Sequence, residues 1–129
     1  MSILNSLFGS NDKRPSYEIY TYRTKDGAGY FKFSYHFLGS GYEIDIHQTP
    51  DYGSRSKGYI AHLLSSPRDA SHRICIISEA RPKTLEDAKN FSMMFAELTW
   101  EYIKTGITID TQIAMQSKNR ESDTNENQE

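Results

Sequence analysis

The 129-residue chain is one domain long, with a hydrophobic fraction of 36% and a formal net charge of −2. These figures exclude a membrane-spanning helix, which needs roughly 18 consecutive apolar residues. They argue against nucleic-acid binding, which calls for a strong positive excess.

A single cysteine, Cys75, excludes an internal disulfide and a multi-cysteine zinc site and suits a reducing compartment. The N-terminus has no basic-then-apolar leader pattern, so a cytoplasmic location is expected. The apolar residues are unevenly spread: residues 1–15 hold five, and the last fourteen hold none. Three segments follow. Residues 1–15 form a short helix or flexible arm, 16–115 a single domain, and 116–129 a polar, acidic tail expected to be disordered.

Ile3, Leu4, Leu7 and Phe8 repeat at helical spacing before Gly9. A helix this short is marginal alone, so it reads as a segment that docks on the body or inserts into a partner. With no cation before Lys13, a membrane-surface role is disfavoured. Residues 16–24 alternate and are rich in aromatic and β-branched types, which predicts a strand. Asp26-Gly27 then marks a turn. A tight loop there puts Tyr20 and Tyr22 on the aromatic face, and a bulged loop puts Tyr17 and Ile19 there.

The second strand is predicted over 30–38, with Phe31, Phe33, Tyr35 and Phe37 on one face. Gly39-Ser40-Gly41 turns into a third strand, in which Tyr42, Ile44 and Ile46 alternate with Glu43, Asp45 and His47. A two-residue turn pairs Phe37 with Tyr42, Tyr35 with Ile44 and Phe33 with Ile46, because a one-residue slip would split the apolar sets. The other face then pairs His36 with Glu43, Ser34 with Asp45 and Lys32 with His47.

Residues 48–73 form a long basic connection with one short helical piece around Tyr59, Ile60, Leu63 and Leu64. Ile74–Ile77 reads as a strand buried on both faces. Thr84, with Asp87 three residues on, starts a helix running to Lys104. Its core stripe is Ala88, Phe91, Phe95, Leu98 and Tyr102, with Met94 beside it, and Gly106 ends it. Ile107, Ile109, Ile113 and Met115 occupy odd positions, which predicts a fifth strand; a helix capped by Asp110 is the competing reading. The fold expected is α+β, a four- or five-stranded, mainly antiparallel sheet that begins as a meander and packs on one long C-terminal helix.

Three constellations bear on function. The polar hairpin face gathers Ser34, His36, Glu43 and Asp45, a candidate catalytic relay. On an open sheet it lacks oxyanion donors, because the ladder uses the backbone N–H groups. His36 and His47 stand about 13 Å apart along the strand, too far to share a metal, so the face reads mainly as a solvated side.

Gly53 to Gly58 has the outer spacing of a phosphate loop, but Tyr59-Ile60 stand where Lys and Ser or Thr are needed. A looser ligand site of His47, Arg55, Lys57 and Arg73 remains. The Gly29–Tyr35 run departs from the RNA-recognition strand pattern at Phe31 and Lys32.

On the back of the helix, Met93 and Trp100 lie one heptad apart, a candidate contact surface. The first functional expectation is therefore a non-catalytic cytoplasmic interaction module or adaptor that self-associates as a homodimer. The second is a small enzyme or anion-binding domain using the polar face and the 48–73 connection. No metal or cofactor is implied.

Overall fold

The computed structural model describes residues 17–127; the helical reading of 1–8 lies outside them. Five strands form one antiparallel sheet: β1 (Tyr20–Arg23), β2 (Tyr30–Phe37), β3 (Tyr42–Gln48), β4 (Leu63–Leu64) and β5 (His72–Ile74), in the order β1-β2-β3-β5-β4. Two helices follow, α1 (Leu85–Thr105) and α2 (Ile109–Asn127). The protein is α+β, and no helix among the described residues is long and apolar enough to cross a membrane.

The β2–β3 register is the expected one from Phe33↔Ile46 to Phe37↔Tyr42. It sets Phe31, Phe33, Ile44 and Ile46 in the core against α1. One pair differs. The register shifts between Lys32 and Phe33, so Lys32 faces Gln48 and His47 becomes the extra residue of a bulge. In the first hairpin Tyr20 pairs with Phe33 and Tyr22 with Phe31. That is the parity of the tight-turn alternative. The Asp26 carboxylate organises the loop, accepting from the Thr24 hydroxyl at 2.8 Å and the Ala28 N–H at 3.0 Å.

Helix α1 begins and ends where its caps require. The Thr84 hydroxyl accepts the Asp87 N–H at 3.1 Å, and Gly106 takes φ +82° while its N–H reaches the Tyr102 carbonyl at 2.8 Å. Its buried face is wider than the large apolar residues indicate. Ser92, Ala96 and Thr99 are buried alongside Ala88, Phe95, Leu98 and Tyr102.

Several expectations are corrected. Residues 109–115 are helical, not a fifth strand. Ile109 and Ile113 share a helix face, and the Thr108 hydroxyl, rather than Asp110, accepts the Thr111 N–H at 3.2 Å. The Gln112 amide pins the helix to α1, donating to the Leu98 carbonyl at 3.0 Å. The sheet gains its outer strands from the 48–73 connection instead.

The Ile74–Ile77 run leaves the ladder after Ile74, and Ile77 is 69% exposed. The helical piece near Tyr59 is a 3-10 turn over Gly58–Ala61 that ends at β4. Helix α2 runs on through 116–127, the stretch whose composition predicts disorder.

Candidate functional site

Strand alternation sends Ser34, His36, Glu43, Asp45 and His47 to the face away from α1. This face is not solvated: Ser34 and Asp45 are 0% exposed and Glu43 9%. The 65–71 arm between β4 and β5 brings Arg68 over it.

Arg68 donates from Nε to Asp45 Oδ2 at 2.6 Å, and from Nη2 to Asp45 Oδ1 at 3.0 Å and Glu43 Oε1 at 2.7 Å. Arg73 and Arg81 reach Glu43 Oε2 at 3.0 and 3.3 Å. Three guanidiniums thus meet two buried carboxylates, the geometry that offsets the cost of removing charge from water.

The two histidines also come together, contrary to the spacing along the strand. The Ser34 hydroxyl lies 2.7 Å from both His36 Nε2 and His47 Nε2. A hydroxyl has one proton to give, so at most one ring can accept from it. The arrangement that also gives the buried Ser34 proton a partner has one ring donating and the other accepting. His36 Nε2 is also 3.4 Å from Asp45 Oδ2. The network therefore assigns the proton to His36 Nε2, with Ser34 donating to His47. Burial holds His36 below the usual histidine range, and the Arg68 charge adds to this against the opposing pull of Asp45.

Tyr17 closes the cluster from outside. Its ring centre lies 4.5 Å from that of His36 and 5.9 Å from that of His47. Its hydroxyl donates to Asp69, which pushes the phenol up to about 12.

The remaining candidates lie elsewhere. Arg55 caps α1, donating to the Ile103 and Lys104 carbonyls at 3.2 and 3.4 Å. Lys57 sits 5.1 Å from the centre of the Tyr52 ring. The structure therefore joins His47 and Arg73 on one face but not Arg55 and Lys57. Trp100 is not an exposed partner of Met93. It is half-buried under the β1–β2 turn, and its Nε1–H donates to Asp26 Oδ2 at 2.7 Å. The backbone N–H of Ala28 and then Trp100 hold the Asp26 carboxyl well below its usual range. Met93 lies apart, beside Tyr20 and Tyr22 in a pocket of about 160 Å³.

The open surface is apolar. A groove of about 420 Å³ lies between the stretch after β5, α1 and the first turns of α2. Its walls are Ile74–Ile77 and Ala80, then Phe91, Met94, Phe95 and Leu98, then Ile109 and Ile113, with His62 at one end. Met94 and Ile113 are 48% and 43% exposed. His62 adopts φ +58°, a conformation uncommon outside glycine, and its Nε2 lies 2.7 Å from Asp110 Oδ1, tying the 3-10 turn to α2.

The chain matches no family model, no curated protein and no solved structure.

Chemically, the two faces differ. The polar cluster resembles a nucleophile relay in composition, but Ser34 is sealed and the arginines are committed to carboxylates. No group of three His, Cys, Asp or Glu among the described residues could hold a metal. The groove offers apolar side chains to solvent with few polar groups. One sequence signal pointed to it. The Ile74–Ile77 run is apolar at every position, which a strand solvated on one face would not be.

Proposed function

We propose that the protein is a non-catalytic cytoplasmic interaction module whose docking surface is the groove between residues 74–80, α1 and α2. The observation that carries this reading is the contrast between the faces. On the back face Glu43, Asp45, Arg68, Arg73 and Arg81 pair with one another, while Ile77, Met94 and Ile113 present an apolar lining to solvent. Contiguous exposed apolar surface is uncommon on monomers and marks interaction sites. The groove's long helical walls suit an amphipathic helix, with large residues three and four apart as anchors. The reading of this protein as a homodimer is then the special case in which a second copy supplies that helix.

A displayed library of amphipathic helical peptides tests the reading. The wild-type chain is expected to select peptides with an apolar stripe, and Met94→Glu to lose them. Selection that Met94→Glu leaves unchanged refutes the groove. The alternative, a ligand-binding or catalytic role for the back face, requires the Tyr17 ring to leave His36 and His47.

A further inference from the structure

We infer that the groove's resident occupant is the chain's own N-terminal segment. Ile3, Leu4, Leu7 and Phe8 seat in it, and a partner must displace them. This rests on the reading of the groove as the docking surface, and three observations carry it.

The first is chemical. The spacing of the four residues would put them on one face of a two-turn helix, and no charged side chain precedes Asp12. Such a segment leaves Ser2, Asn5 and Ser6 on the side turned to solvent and presents an apolar face to the groove. That is what walls built from Ile77, Phe91, Met94 and Ile113 accept.

The second is size. A cavity of about 150 Å³ holds one benzene ring. A groove of about 420 Å³ therefore takes two or three large side chains of the four and leaves the rest on its rim.

The third is reach. The described chain begins at Tyr17, whose hydroxyl is held by Asp69 in the arm leading into β5. Asp69 precedes the groove residue Ile74 by five positions, so the two are separated by at most about 18 Å. Phe8 precedes Tyr17 by nine positions, a tether of up to about 30 Å. Residues 3–8 can therefore round the short β4–β5 edge and enter the groove of the same molecule.

A tether this short gives an effective concentration in the millimolar range. A segment that binds in trans with a dissociation constant of about 0.1 mM is then docked about ten to one in cis. A partner helix meets the groove already filled, so its apparent affinity is lowered by the same factor.

Cys75, the chain's one thiol, lines the groove and reports its occupancy. The test compares thiol modification by an aromatic disulfide reagent in the full wild-type chain and in a full chain carrying Leu4→Glu and Leu7→Glu. The wild-type thiol is expected to react about tenfold more slowly, at every protein concentration. A synthetic peptide of residues 1–12 added to the variant should restore the slow rate.

Equal rates in the two chains overturn the inference. Protection that grows with protein concentration also overturns it, because the segment then occupies a second copy's groove. Neither result counts against the groove as a docking surface, which the peptide selection with Met94→Glu decides separately, and the second would make the occupant another copy of the chain.

Discussion

Arg68→Met removes the guanidinium that covers the back of the sheet while keeping much of its aliphatic length. Glu43 keeps Arg73 and Arg81, but Asp45, 0% exposed in the wild type, loses both of its charged hydrogen bonds, and His36 at 3.4 Å is the ionic neighbour that remains. Breaking a buried pair in this way costs about 3–5 kcal/mol. That is a large part of the roughly 5–15 kcal/mol that stabilises a domain.

The loss should depend on pH. Without Arg68, the Asp45 carboxylate acts on His36 unopposed by that cation and favours its charged form. If the folded-state value of His36 rises above the unfolded one, near 6.5, the resulting stabilisation is fully present below that value. It then disappears as pH rises through the folded value. Urea unfolding followed by Trp100 fluorescence should show the full deficit at pH 8 and a smaller one at pH 6. A deficit below about 1 kcal/mol at pH 8, the value of a solvated ion pair, would refute the closed arm.

Other outcomes follow from the same geometry. In the wild type, burial holds His36 below its ordinary value, so the unfolded chain binds more protons and stability falls as pH drops below about 6.5. His36→Gln should flatten the fall in urea midpoint between pH 7 and 5. Gly29→Ala places a Cβ 3.0 Å from the Trp100 ring and from Thr24 Cγ2. Overpacking of this kind costs about 1–3 kcal/mol, measurable by thermal unfolding, and an unchanged midpoint would show that Trp100 does not lie under the turn. Gln112→Ala removes the amide that bonds α2 to the Leu98 carbonyl. Hydrogen exchange should quicken in the first turns of α2 and stay unchanged in β2 and β3.

The central hairpin was legible because its signals agree. Alternating aromatics on β2 and isoleucines on β3 permit only one register that buries both, and Thr84 and Gly106 mark the ends of α1 by their local chemistry. The polar face misled because its cover is remote. Nothing near Asp45 announces Arg68, which arrives 23 residues later from an irregular arm. The signal available was the charge match between the basic connection and the two carboxylates.

The bulge that re-aims His47 carries no glycine or proline to mark it. Trp100 was misplaced because Ser92, Ala96 and Thr99 are small and partly polar. They let the sheet approach α1 and widen its buried arc toward the tryptophan. In 107–115, the apolar residues at odd positions (Ile107, Ile109, Ile113 and Met115) also include a pair four apart, so both periods fit and only packing against α1 decides.

Ser34 gives two identical residues opposite duties. The position of His36 must offer a hydrogen, and that of His47 must offer a lone pair. An amide could serve at either place, but with its oxygen and nitrogen turned the other way round. A lysine at 47 would bring a second donor to a hydroxyl that needs an acceptor. The two positions are therefore not equivalent: an amide can meet either demand by choosing its flip, whereas a side chain that only donates suits position 36 alone.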